Sequence, residues 1–168
     1  MQRAEPMCAL DPLLLIPRIE YVREIHDFVL GQGETYTLVI LDMKNFHVVN
    51  DVYSYDTGDR VIASFMRKLR SRLPQGSVSL RFRHGDEFLF FVPLERAAAV
   101  KHFESFRQDC EATPALTLGG GELILVSYRF AVIELIEEEK MEAMLLRAEK
   151  ALREVKGQGS PRGSGAMI

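Results

Sequence analysis

Tyr36-Thr37-Leu38-Val39-Ile40-Leu41, closed by Asp42, is the stretch that decides the fold. It is short, unbroken by charge and rich in strand formers, so it reads as a central strand buried on both faces rather than as a helix. Downstream, Val78, Leu80 and Phe82 alternate with polar residues, as in a half-covered strand. Arg83-His84-Gly85-Asp86 then reads as a tight turn, with Gly85 free to take positive φ. Phe88 to Val92 return, so residues 77–92 form a β-hairpin. A central strand beside a hairpin gives the sheet.

Helical spacing surrounds these strands. Ile19, Val22, Ile25 or His26, Val29 and Leu30 share a face before Gly31 and Gly33 stop the helix. After Asp42 an irregular stretch runs to Tyr55, and Asp56 or Thr57 is placed to cap the next helix. Its apolar stripe is Val61, Ile62, Phe65, Met66, Leu69 and Leu73. Leu94 to Cys110 is helical, with Val100, Phe103 and Phe106 inward. Leu116–Leu118 reads as a short strand, Gly119–Gly121 as a turn and Leu123–Leu135 as a long strand. The last helix, Glu137–Lys156, has the stripe Met141, Met144, Leu145, Ala148, Ala151, Leu152 and Val155. The order α-β-α-β-β-α-β-α belongs to the α+β class. We expect a leader over residues 1–10, one domain over 11–159 and a flexible tail over 160–168, where Gly, Ser and Pro concentrate.

Bulk properties remove several function classes. A net charge of −3 over 168 residues gives no sign of a nucleic-acid partner. The run Arg67, Lys68, Arg70 and Arg72 lacks interleaved exposed aromatics and reads as a solvated helix face. No apolar stretch approaches the ~20 residues of a membrane helix, and the first ten residues do not resemble a secretory signal. Cys8 and Cys110 make neither a metal pair nor a disulfide framework. The four histidines show no metal spacing, and no Walker-type loop is present. A reduced, cytoplasmic protein is expected.

The chemistry is expected where the central strand ends and the hairpin turns. If the hairpin pairs beside the central strand, Asp42, Asp86 and Glu87 converge. Carboxylates so close repel one another unless a cation neutralises them. Mg²⁺ prefers such oxygen ligands and keeps substrate phosphates in its shell, which suits phosphoryl or nucleotidyl transfer. On these residues alone the pattern is weak, and ordinary solvated loop charges explain it better.

Five segments in order carry a resemblance. Asp11-Pro12-Leu13-Leu14-Leu15-Ile16-Pro17 is similar to the D-x-L-T-G-L-x-N-R opening of GGDEF domains, the diguanylate cyclase family. Asp42-Met43-Lys44-Asn45-Phe46-His47-Val48-Val49-Asn50-Asp51-Val52-Tyr53 resembles the family's D-x-D-x-F-K-x-I-N-D-x-Y. Gly58-Asp59 stands at its G-D, and His84-Gly85-Asp86-Glu87-Phe88 at its signature. Ala148-Glu149-Lys150-Ala151-Leu152, with Lys156 and Gly159, resembles its closing A-D-x-A-L-Y-x-A-K-x-x-G. The segments span 11–159 at family spacing.

The resemblance implies a fold like the palm of nucleotide cyclases, a mostly antiparallel five-stranded sheet flanked by helices. It implies that Asp42, Asp86 and the backbone carbonyl of Met43 hold Mg²⁺ (or Mn²⁺). Glu87 would help activate the ribose 3′-hydroxyl or hold a second metal. Asn50 and Asp59 would read guanine, Lys156 would meet the terminal phosphates, and Phe46, His47, His84 and Gly85 would line the substrate. The chemistry agrees, since guanine presents donors at N1 and its amine that a carboxylate accepts, whereas adenine presents an acceptor at N1. Without the family, Lys156 would be an ordinary helix-end cation and Asp59 an ordinary first-turn carboxylate.

The departures are specific. Lys44 replaces the second aspartate, a local change of two charge units. His47 replaces a phosphate-contacting lysine, which weakens triphosphate binding unless the imidazole is protonated. Ser54-Tyr55 replaces G-H, and Phe82-Arg83 stands where an Arg-aromatic pair is common. His84 replaces the first signature glycine and crowds the phosphate approach. Arg129 occupies a glycine position of the S-x-G strand motif, and Ser160 occupies an arginine position, with Arg162 nearby. The product-inhibition motif R-x-x-D is absent from the corresponding window Gln75-Gly76-Ser77-Val78, so that form of feedback by cyclic di-GMP is expected to be missing.

The resemblance therefore implies Mg²⁺-dependent condensation of two GTP into cyclic di-GMP, possible only when two subunits face each other as a homodimer. The alternative is a degenerate regulatory module that binds GTP or a sensory or regulatory protein partner. A cyclase using another nucleotide pair is a third reading.

Overall fold

The computed structural model describes residues 10–83 and 85–158. His84 and residues 1–9 and 159–168, which include most of the expected leader (1–10) and all of the expected tail (160–168), lie outside the described residues. The expected central strand is β1 (Thr37–Met43), and all of its residues are buried. Burying each large apolar side chain contributes about 1.5–3 kcal/mol, so this run anchors the sheet. The hairpin is β2 (Val78–Arg81) and β3 (Glu87–Val92), and it pairs beside β1 as the sequence suggests.

The helices are α1 (Val22–Leu30), α2 (Phe46–Val52), α3 (Tyr55–Arg70), α4 (Arg96–Ala112) and α5 (Met141–Gln158). A 3₁₀ turn, Ile19–Tyr21, leads into α1. Among the described residues the central sheet has four strands, in the order β2-β3-β1-β6, where β6 is Tyr128–Glu134. Every pair is antiparallel. The fold class is as expected, with one strand fewer in the main sheet.

The difference arises at Leu123–Leu135. That run is not one strand. β4 (Leu116–Thr117) and β5 (Leu123–Ile124) form their own small hairpin. The chain then turns before β6, and Ser127 O accepts the Lys44 N–H at 2.8 Å. Other boundaries moved for local reasons. The stretch before Tyr55 contains α2, whose inward residues, Phe46 and Val49, are too few to reveal a helical period. Ser54, rather than Asp56 or Thr57, caps α3 by accepting the Thr57 N–H at 3.1 Å. Helix α5 starts at Met141 because Glu138 adopts φ 64°.

Strand alternation divides the core in two. Val39, Leu41 and Met43 face α3 and α4, where Phe65, Phe103, Phe106 and Tyr128 form an aromatic cluster. The buried Tyr128 hydroxyl donates to Phe103 O. Leu38 and Ile40 face α1 and α5, with Val29, Met144, Ala148 and Leu152. Strand β6 is a sheet edge among the described residues. Two guanidinium groups reach its carbonyls: Arg96 Nε donates to Val132 O (3.4 Å) and Arg147 Nη2 to Glu134 O (2.8 Å). Among the described residues no helix is long and apolar enough to cross a membrane.

Candidate functional site

Asp42 lies near the end of β1, with Glu87 of β3 opposite it on one side and Arg129 of β6 on the other. Directly opposed residues project to the same face, so Glu87, Asp42 and Arg129 form one row across three strands. That face is the one α5 covers, and α5 supplies Lys156. Its Nζ is 3.0 Å from Asp42 Oδ1 and 3.5 Å from Glu87 Oε1. Arg129 Nη1 is 3.5 Å from Asp42 Oδ2. Both carboxylate oxygens of Asp42, a side chain only 12% exposed, therefore face a cation, which offsets the cost of burying the charge.

The signature turn is fastened to the strand end by backbone and side chain together. Met43 N–H donates to Asp86 O at 3.0 Å, and Phe82 N–H to Glu87 O at 2.9 Å. Gly85 has φ +79°, a conformation that favours glycine. Arg81 Nη2 and Nε donate to Gly85 O at 2.8 and 3.2 Å, while its Nη1 pairs with Asp11 Oδ2 at 2.7 Å. Asp11 Oδ1 accepts the N–H groups of Leu13 (3.1 Å) and Leu14 (2.9 Å). The opening loop and the hairpin tip are thus clamped by one guanidinium. Arg81 was not singled out from the sequence; its signal there is only that of a polar residue alternating in a strand. A cleft of about 160 Å³ beside the row is lined by Phe82, Arg83, Glu87, Glu149, Leu152 and Lys156.

A second group forms where α2 meets α3. Asn45 takes φ 51° and starts α2. Phe46 is buried and His47 exposed. Asn50 lies against Gly58: a Cβ there would sit 1.9 Å from Asn50 Oδ1 and 3.3 Å from Phe46 Cζ. Asp59 follows, exposed at the surface. The absence of a side chain at Gly58 thus leaves room for the Asn50 amide against α3, one residue along the chain from Asp59.

Of the residues expected from the sequence, Asp42, Glu87 and Lys156 make direct contacts, Asp86 and Met43 are joined through the backbone, and Asn50 packs against Gly58, the residue before Asp59. His84 lies outside the described residues. Among the described residues no group of three or more His, Cys, Asp and Glu side chains is arranged to hold a metal ion. The carboxylate oxygens of Asp42 and Glu87 suit Mg²⁺ or Mn²⁺ in kind, but Lys156 and Arg129 stand against them. The position of Arg129 as a departure is legible in the sequence; its pairing with Asp42 is visible only in the register.

The family model described as "Diguanylate cyclase, GGDEF domain" matches residues 20–162. The chain belongs to the GGDEF domain family. Diguanylate cyclase VdcA of Vibrio cholerae is 29% identical over 136 residues, covering 80% of this chain and 40% of that protein. Response regulator PleD of Caulobacter vibrioides is 26% identical over 129 residues, covering 76% and 28% respectively. This GGDEF domain thus spans less than half the length of these curated relatives. Among solved structures, diguanylate cyclase SiaD of Pseudomonas aeruginosa, in complex with its activator SiaC, is 30% identical with a TM-score of 0.76. It covers 89% of this chain and 58% of SiaD. The GGDEF domain of DgcB from Caulobacter crescentus, in complex with c-di-GMP, is similar in fold, with a TM-score of 0.78 at 21% identity, over 95% of this chain and 93% of that one.

Proposed function

We propose that this GGDEF domain binds GTP and, as a pair of facing copies, condenses two GTP into cyclic di-GMP with release of pyrophosphate. The observation that carries the reading is the strand register: Glu87 stands opposite Asp42, and the Met43 N–H holds the Asp86 carbonyl at the same strand end. In this reading Asp42, Asp86, Glu87 and the Met43 carbonyl would hold a divalent cation, and the chemistry that cation would supply is neutralisation of phosphate charge. Asn50 and Asp59 select guanine, Lys156 meets the terminal phosphates, and His47, His84 and Gly85 border them. Each copy holds one nucleotide, so the 3′-oxygen of one GTP attacks the α-phosphorus of the other only across a homodimer.

The second reading, a nucleotide-binding or partner-binding regulatory module without turnover, is favoured by one observation: Arg129, on the row itself, pairs with Asp42. The structural likeness to SiaD in complex with its activator SiaC makes a protein regulator a reasonable partner in either reading. Incubation of the purified chain with Mg²⁺ and GTP, followed by chromatography and by melting with and without GTP, separates the readings. Cyclic di-GMP supports the enzyme. A GTP-dependent melting shift without product supports the module. Neither product nor shift refutes both nucleotide readings.

A further inference from the structure

We propose that Arg129 is a built-in counter-cation that competes with a divalent metal ion for Asp42, so that the metal affinity of this site is set by the third strand of the row. The inference rests on the reading of Asp42 as a metal ligand and deepens it. Three observations carry it. First, Arg129 is not a wandering surface side chain: the β1–β6 register places it directly opposite Asp42. Second, its Nη1 is 3.5 Å from Asp42 Oδ2, while Lys156 takes Oδ1, so neither oxygen is without a cationic neighbour. Third, the ion pairs of the row match one to one: the carboxylates of Asp42 and Glu87 face the two cations Arg129 and Lys156.

The two cations are not equivalent. Lys156 sits on a flexible stem in the last turn of α5, from where it can follow a phosphate group as a point charge. The guanidinium of Arg129 is charged at every accessible pH and grows from the sheet itself. A divalent ion at Asp42 therefore meets repulsion from a fixed positive charge in a partly desolvated place, where such repulsion is strongest. The cleft of about 600 Å³ that Arg129 borders offers it little to move to, since its charged walls hold Lys44, Arg96 and Arg107 beside Glu104 and Glu154, and Glu104 already pairs with Arg107.

The test is Mn²⁺ titration of the purified chain, with free Mn²⁺ followed by electron paramagnetic resonance and no nucleotide present. R129Q retains a polar side chain of similar reach without charge; R129K retains the charge; D42N removes the ligand. Thermal melting checks that each variant is folded. R129Q is expected to bind Mn²⁺ at least about tenfold more tightly than the native chain, from loss of the nearby charge, with R129K close to native and D42N abolishing the gain. Equal, D42N-sensitive affinity in the native chain and R129Q would overturn the counter-cation while leaving Asp42 as a metal ligand. Binding that survives D42N, or no binding in any variant, would instead overturn the metal reading of Asp42 and the proposal with it.

Discussion

Gly58→Ala separates what this fold needs from what a guanine site needs. Gly58 is buried in the first turns of α3, and an added Cβ would fall 1.9 Å from Asn50 Oδ1, 3.1 Å from its Cγ and 3.3 Å from Phe46 Cζ. Two opposing terms set the stability change. Alanine is favoured over glycine inside a helix by about 1 kcal/mol. Against this, Asn50 must leave its present rotamer and Phe46 must shift by a few tenths of an ångström, together costing about 0.5–1.5 kcal/mol. The sum is near zero, so the melting temperature should move by no more than about 4 °C. Recognition has no such compensation. With Asn50 displaced, one or two base hydrogen bonds of about 0.5–1.5 kcal/mol each are lost. GTP affinity should drop between about twofold and about 150-fold, measured by isothermal titration with Mg²⁺. A well-folded Gly58→Ala protein that binds GTP as tightly as the native chain would refute the assignment of Asn50 to the base. A loss of several kcal/mol in stability would refute the idea that Asn50 is free to yield.

Two further outcomes follow from buried polar groups. Arg81→Ala removes the clamp on Gly85 O and leaves Asp11, which is 6% exposed, without its cation. The Leu13 and Leu14 N–H groups still compensate part of that charge, so a loss of about 2–4 kcal/mol is expected in urea unfolding, with faster amide exchange at Asp86 and Glu87. No change in either would refute the clamp. Burial pushes the Cys110 thiol up to about 11 from its ordinary 9.0. The unfolded chain thus loses this proton at lower pH than the folded one, and stability should fall as pH rises from 9 to 11. A Cys110→Ala variant in a Cys8→Ser background should lack that part of the alkaline loss.

The sequence shows the large features well because they depend on composition over several residues. Tyr36–Leu41 can only be an interior strand, and the alternation before Gly85 can only be a strand meeting a turn; both stand where expected. The carboxylate row is legible in part. Asp42 and Glu87 follow from a hairpin placed beside the central strand, but their register is set by packing across the sheet, which no local pattern encodes. Arg129 illustrates the limit. From the sequence it is an odd residue in a strand motif; its charge gains meaning only when β6 pairs with β1 and brings it opposite Asp42. The same holds for Asp11 and Arg81, separated by 70 residues and joined only by the fold. Helix α2 was missed because seven residues with two inward contacts carry too little periodicity.

The arginines that reach over β6 bear on how this chain lives in a crowded solution. An unpaired strand border is a template on which a second molecule can lay its own strand, and repeated laying of strands builds ribbons and then fibrils. Arg96 and Arg147 occupy the Val132 and Glu134 carbonyls from two different helices, and each places a bulky charge where an incoming backbone would have to come. Neutralising both should make the protein prone to precipitate on concentration, a cost that would surface during storage and expression before any assay of nucleotides, on top of the stability lost when Glu139, only 12% exposed, loses its Arg147 partner.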